Sequence, residues 1–385
     1  MIHTTRKNTA TLRQFVAAAT AEGLPWVSFR LPGENHSHCW LQLDVTPATL
    51  AVEQAGFVVA PFDWPQRSAT FIRRDLAFTG LEFNPDALQF GTLTASQLLR
   101  LTQLQARLAS EDAPISTKAT LPPSTSHQQY QQTVEAALKA IGQGQLQKVV
   151  LSRTLQLQFA KPIDSSAVYD ALCALYPDAF VSLCRLPSGE CWLGASPELL
   201  VDYRANGLST MSLAGTRAVS DDDQGWQPKE EAEQQIVTDY IREQLAALGM
   251  EVSIAPRETI RAAQVWHLRS RIEAHGQVGL TEVLEKLHPT PAVCGYPLAA
   301  ARSFIATHEA HPRQFYGGFL GPIQPDGSAR LFVNLRTAAL SEQAASLYLG
   351  GGLVAGSDLA AEWAETEAKA QTLLAAFRHA GIDPQ

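Results

Sequence analysis

Two stretches of this chain place carboxylates where a helix would bury them. In KEEAEQQIVTDYIREQLAALG, Val237, Ile241, Leu245 and Leu248 recur at helical spacing, and the same line read backwards meets Glu233 and Glu230. In SDLAAEWAETEAKAQTLLAAF, the line through Phe377 and Leu373 runs back through Lys369, Glu365 and Glu362. An ionised carboxylate taken out of water is costly unless a cation compensates it. Two acidic faces turned inward therefore point to a divalent ion held by oxygen ligands. With glutamates and no histidine among them, Mg²⁺ fits best. The alternative is that these acids lie solvated at helix N-termini, complementing the helix dipole.

Lys148 opens KVVLSRTLQLQF, on the strand face opposite Val149, Leu151, Leu155 and Leu157, and Glu198 sits in GASPELLV. A lysine serves as a general base only where its surroundings lower its pKa, and a glutamate as a general acid only where they raise it. A pocket that excludes water does both. Arg336 in LFVNLRTA falls in an apolar strand pattern, where its planar fork suits a carboxylate; an ion pair with one of the glutamates is the other reading. Downstream, ASLYL runs into GGGLVAGSD. Its three glycines read as a turn whose backbone N–H groups approach a small anion, with Ser357 or Asp358 as the helix N-cap. Gly350, Gly352 and Ala355 fit GxGxxA, but too little chain follows Gly356 here for the rest of a dinucleotide unit. His267 in VWHLRSRI and His288 in LHPTPAV are candidates whose simpler reading is a hydrogen-bonded core residue. GxSxG, HExxH and GK[ST] do not occur.

These residues need a large scaffold. Helices read at 229–248, 297–308 and 359–379, with a further one over HQQYQQTVEAALKAIGQG. Strands read at KVVLSRTLQLQF, FVSLCRL, ECWLGASPELLVDY, LSTMSLAG, ARLFVNLRTAAL and ASLYLGGGLV. That mixture predicts an α+β or α/β chain, an α/β sandwich with large mixed or antiparallel sheets flanked by helices. The first part holds short apolar stretches broken by Pro and Gly, and EDAPISTKATLPPSTSH (111–127) reads as a connecting loop or insertion. The organisation expected is an N-terminal part at 1–125 and a catalytic region at 126–385 within one structural domain. The first residues, MIHTTRKNTATLRQFVAAAT, read as an ordinary first helix rather than a targeting segment.

At 385 residues with 45% hydrophobic and 18% charged, the chain can bury a sizeable core. A formal charge of −8 leaves no global positive field for nucleic acid or anionic lipid, so an anionic substrate must be held by local groups. No apolar run approaches membrane-spanning length. The five cysteines, with no CxxC, read as reduced core thiols of a cytoplasmic protein, and a zinc site is not expected.

In chain order, KVVLSR, GASPELL, LAGTR, KEEAEQQIV, HLRSRI, LHPTPAVCGYP, FYGGFLGPI, LFVNLRTA, GGGLVAGSD and EWAETEAK resemble the chorismate-utilising enzymes, and within them the isochorismate-forming branch most. The likeness covers about residues 128–375; the first 125 match loosely. It implies a two-lobed fold with the active site between layers, Lys148 as the base that activates water and Glu198 as the acid that protonates the departing hydroxyl. It implies Mg²⁺ on Glu233 and Glu365, with Glu230 and Glu362 acting through water. Arg336, Lys369, Tyr316 and the Gly350–Gly352 backbone would hold carboxylates, with Thr216 and His267 near the ring. The implied reaction is isochorismate synthesis, in which water adds at C2 of chorismate as the C4 hydroxyl leaves, serving menaquinone or siderophore formation. The alternatives are salicylate synthesis, with pyruvate eliminated in the same site, and a non-catalytic chorismate-binding module. In aminodeoxychorismate synthases a lysine of PIKGT attacks C2; here SLAGT carries Ala214, which leaves water as the nucleophile. The tryptophan-feedback motif of anthranilate synthases is not matched. A monomer without a glutamine amidotransferase subunit is expected. Two departures are Gln234, where the family has the His of an EH pair, and Cys294-Gly295, where it has GG.

Overall fold

In this computed structural model, the structure describes residues 12–48, 54–79, 94–108, 121–218, 225–262 and 265–385. Most of the expected connecting loop at 111–127 lies outside them.

Two antiparallel sheets carry the molecule. The first holds β1 (Trp26–Arg30), β2 (His38–Leu41), β5 (Leu76–Thr79), β6 (Lys148–Gln158), β7 (Phe180–Arg185), β8 (Cys191–Ser196), β14 (Gly295–Tyr296), β17 (Thr337–Leu340) and β18 (Ala344–Val354). Its order is β14-β6-β18-β17-β8-β7-β1-β2-β5. The second holds β3 (Gly56–Ala60), β4 (Thr70–Arg73), β9 (Leu199–Arg204), β10 (Gly207–Ala218), β11 (Glu251–Ile254), β13 (Val265–His275), β15 (Phe319–Ile323) and β16 (Ala329–Val333). Its order is β11-β13-β10-β9-β16-β15-β3-β4, with β12 (Glu258–Ala262) also on β13.

The sheets face each other across an aromatic core. Phe29, Trp40, Phe180 and Tyr348 of the first meet Phe57, Leu320 and Phe332 of the second. Phe180 and Phe332 stack at 4.2 Å and 2°. Rings of this size dominate core energetics because each removes about 150–250 Å² from water. Helices α1 (Leu12–Ala21), α2 (Ala95–Leu108), α4 (Ser165–Leu175) and α8 (Leu359–His379) share a core with the outer face of the first sheet. Helices α5 (Pro228–Ala247) and α6 (Leu280–Leu287) do the same for the second, and α3 (His127–Gly142) and α7 (Leu298–His308) close the β6 edge. The α+β sandwich expected from the pattern of elements is the fold observed.

Three local expectations are corrected. ECWLGASPELLVDY is two strands, β8 in the first sheet and β9 in the second, broken at Pro197-Glu198. ARLFVNLRTAAL is likewise β16 in the second sheet and β17 in the first, broken at Asn334–Arg336, where Arg336 takes φ +48. Proline lacks a ladder donor, and a left-handed residue turns the chain out of its strand. The two crossovers run together: Ser196 Oγ donates to Val333 O at 2.5 Å, and Val333 N to Glu198 O at 3.0 Å. Third, Gly350–Gly352 are not a turn. They lie inside β18, opposite Ser152, Leu151 and Val150 of β6, and the chain turns only at Ala355-Gly356 (Gly356 φ +85).

Candidate active site

Where the crossovers meet, a pocket of about 650 Å³, counted to its open mouth, lies between the sheets. Glu198, Thr216, His267, Tyr316, Arg336 and Lys369 line it, as do Gly350, Gly352, Glu233 and Glu365. Strand parity explains β6 and β18. Leu347 and Leu349 turn to the helix-covered core, while Tyr348, Gly350 and Gly352 turn inward with Val150. The inner-face glycines make room for others: a Cβ on Gly350 would stand 2.2 Å from Tyr316 Oη, and one on Gly352 would stand 2.4 Å from Glu233 Oε1. Their service to the pocket is absence of bulk rather than an anion-binding turn.

Glu198 is buried at the first crossover, and burial raises its carboxyl to about 8 against the partial opposing pull of Lys148 and Lys369. It therefore holds a proton at neutral pH, the state a general acid requires.

Arg336 is buried at the second crossover. Its Nη1 donates to Thr372 Oγ1 at 3.0 Å and its Nη2 lies 3.4 Å from His267 Nε2. Among the described residues no ion pair joins it to a carboxylate, so the internal salt bridge considered from sequence is not formed, and Glu365 acts on it only from further away. Burial lowers its pKa to about 10. His267 is the orienting partner. Burial, then Arg336 and Lys369, lower its pKa to about 3, so the ring is neutral. Its Nδ1 lies 3.1 Å from Gly215 O, which assigns the proton to Nδ1 and leaves Nε2 as an acceptor facing Arg336. Thr216 Oγ1 joins the same Nδ1 at 3.2 Å. A bulge in β10 at Gly215 (φ +72) brings Thr216 here; a Cβ on Gly215 would stand 3.0 Å from Glu230 O. Tyr316, raised to about 12 first by burial, is a neutral phenol beside Gly350.

The helical glutamates do turn inward, but lysines already meet three of them. Lys148, fully buried, pairs with Glu233 at 3.0 Å; Lys229 pairs with Glu362 at 3.3 Å; Lys369 pairs with Glu365 at 2.5 Å and also donates to Gly350 O at 2.8 Å. Glu230 departs from the metal expectation and follows the alternative: its Oε2 caps its own helix by accepting from Gln227 N at 3.1 Å. A metal still fits the others. Glu362 Oε2 is buried with no hydrogen-bond partner, and burial followed by the neighbouring Glu365 raises this carboxyl to about 7. Both carboxylates converge on Gly351, whose Cβ would meet Glu362 Oε2 at 3.2 Å and Glu365 Oε1 at 3.8 Å. Crowded acids with an unsatisfied oxygen are the donor set a hard dication relieves.

Sequence reasoning missed Lys229 and Thr372. Thr372 continues the α8 line through Glu365 and Lys369, so periodicity could have found it; the partner of Lys229 lies on another helix. His288 is the core residue its simpler reading implied, with Nε2 3.1 Å from Phe62 O and its pKa lowered to about 3 by burial. Gln234 Nε2 donates to Ser212, Thr238 and Ser270 hydroxyls beneath β10 and β13. Cys294 packs in the α3–α7 core rather than in the pocket. The cysteines are free thiols. Outside the pocket, His36-Ser37-His38 is an HxH spacing, and with Glu34 it brings three possible ligand atoms within 4.8 Å of one another.

Paired sheets with a buried acid and a buried guanidinium at their crossovers, and glutamates of two helices beside them, suit an enzyme class that takes a small anionic substrate. Residues 83–378 match the family described as chorismate binding enzyme, and the chain belongs to that family. The match reaches further back than the motifs alone. The chain is 35% identical over 252 residues to isochorismate synthase MenF of Escherichia coli (strain K12), which covers 63% of this chain and 58% of that protein. It is 31% identical over 330 residues to isochorismate synthase EntC of the same strain, covering 82% and 79%. The solved structure of MenF, the menaquinone-specific isochorismate synthase from Escherichia coli, superposes with a TM-score of 0.77 at 26% identity, covering 95% of this chain and 90% of that one. Among the described residues no helix is long and apolar enough to cross a membrane.

Proposed function

We propose that this chain is an isochorismate synthase, converting chorismate to isochorismate. The observation that carries the reading is Arg336, a buried guanidinium facing the pocket with, among the described residues, no carboxylate in ion-pair distance and only the longer-range pull of Glu365. A buried cation left unpaired is expensive, and a substrate carboxylate supplies its partner. Lys369 and the Tyr316 hydroxyl stand ready for the same carboxylates. Thr216 and His267 face the ring, and His267 also sets the tilt of the Arg336 fork. Lys148 takes the proton of the water that bonds to C2. The diene electrons shift, and the C4–O bond breaks as Glu198 protonates the leaving hydroxyl. Ala214 lines the pocket and offers no nucleophile of its own, which favours water.

Magnesium would be held by Glu233 and Glu365, with Glu362 acting through water. Bound there, the ion supplies Lewis-acid stabilisation at a substrate carboxylate. Glu365→Gln raises the Mg²⁺ concentration for half-maximal activity by about tenfold or more, the scale on which even an outer partner of a metal ligand matters. Unchanged activity at low magnesium overturns the ligand assignment. Residues 1–125 are read as part of the same structural unit as 126–385. The enzyme is read as a cytoplasmic monomer working without an amidotransferase subunit, its product serving menaquinone or siderophore formation.

The deciding experiment incubates the purified protein with chorismate and Mg²⁺ and resolves the products by chromatography. Isochorismate alone is expected. Salicylate with pyruvate replaces the reading by salicylate synthesis, and unchanged chorismate reduces it to a binding module.

A further inference from the structure

Apart from the catalytic pocket, one cluster of described side chains has the donor types and spacing of a metal site. After β1 the chain turns at Leu31–Glu34, where Glu34 N donates to Leu31 O at 3.1 Å and Gly33 has φ +76. It then bends at Asn35 and His36 before entering β2 at His38. The bend folds three donors onto one another. His38 Nε2 lies 2.9 Å from Glu34 Oε2, His36 Nε2 lies 3.8 Å from the same oxygen, and one ligand atom from each residue falls within 4.8 Å of the others. Tetrahedral zinc with bonds of about 2.0–2.1 Å sets its ligand atoms about 3.3 Å apart, inside that span.

The cluster is anchored from behind. His38 is paired with Phe29 across β1 and β2, and its ring stacks on Phe29 at 5.0 Å and 24°. The residues between and after the histidines are tied into the core: Tyr169 Oη donates to Ser37 Oγ at 2.8 Å, and Cys39 Sγ lies 3.0 Å from Ser28 Oγ. The side chains of His36 and His38 are 46% and 21% exposed, so an ion can enter without unfolding the hairpin. None of the three residues lines the catalytic pocket.

We propose that Glu34, His36 and His38 form a second metal site, selective for Zn²⁺ over Mg²⁺, that pins the Leu31–Glu34 turn to β2. Two imidazoles and one carboxylate leave a fourth position for water, the donor set of an open zinc site. Magnesium, which demands oxygen ligands, does not compete for it.

The test uses the full chain in saturating Mg²⁺, which separates this site from the glutamates, with Zn²⁺ alone as the probe. Equilibrium dialysis should find one tight Zn²⁺ per chain, and Zn²⁺ should raise the melting temperature, because an ion that binds only the folded state stabilises it. His36→Ala and His38→Ala should each weaken zinc binding by at least about tenfold, in keeping with the cost of losing a metal-site partner. Both should also abolish the rise in melting temperature while leaving Mg²⁺-dependent turnover unchanged. X-ray absorption of the zinc complex should show two imidazoles on the metal. Absence of tight zinc binding, or a His36→Ala/His38→Ala double variant that binds zinc like the parent, overturns the proposal.

Discussion

Glu198→Gln is expected to lower kcat by about 10²–10⁴-fold, the range a positioned general acid supplies. The substitution is clean. Glu198 is buried, its pKa is raised to about 8, and at neutral pH the acid is already uncharged, so glutamine exchanges one neutral group for another. Binding should change far less than turnover, and the loss belongs to kcat. The pH profile carries the sign. The parent works while Glu198 is protonated, so its activity should fall as pH rises through about 8. The glutamine variant has no proton to lose there, and that alkaline limb should vanish from its residual activity. Stability should move the other way. Between the ordinary carboxyl value of 4.5 and about 8 the folded chain keeps a proton that the unfolded chain has released, so this residue costs stability as pH rises across that window. Melting curves at pH 8 should therefore find the variant at least as stable as the parent. An alkaline limb that persists in Glu198→Gln would show that another group donates the proton.

Removing the Lys148 amine gives the second large effect. Lys148→Ala takes away the group proposed to receive the water proton, and turnover should drop by about 10²–10⁴-fold. The structure adds a cost the sequence did not suggest. Lys148 is fully buried and pairs with Glu233 at 3.0 Å, so the alanine variant leaves a largely buried carboxylate without its cation. Breaking such a pair destabilises by about 3–5 kcal/mol. Adding Glu233→Gln to Lys148→Ala should restore the melting temperature, which isolates the folding cost of the broken pair. If Lys148→Ala, assayed well below its melting temperature, keeps parental turnover, Lys148 acts through folding and is not the base.

The parts of the site that could be read in advance are those set by local periodicity. A repeat of 3.6 residues is enough to place Glu233 below Val237, and Lys369, Glu365 and Glu362 below Leu373. Parity along a strand is enough to turn Lys148 away from Val149 and Leu151. Neither rule reports what lies opposite. The lysines that answer Glu362 and Glu233 come from other elements, and Glu230 turns back to cap its own helix instead of joining the cluster.

Residue order by itself determined the chemistry at hand: the types of side chain, the helix and strand faces they occupy, and the ordered motifs that mark the family. It could not decide where a strand changes sheet. ECWLGASPELLVDY and ARLFVNLRTAAL each read as one continuous strand because hydrophobic alternation has the same period in either sheet. Only the packing of the two sheets shows that both segments cross at Glu198 and Arg336, so that the acid and the buried cation face one pocket. Tertiary structure also decided that Gly350 and Gly352 serve by yielding space to Tyr316 and Glu233, since a missing side chain acquires meaning only from the neighbour that fills its place.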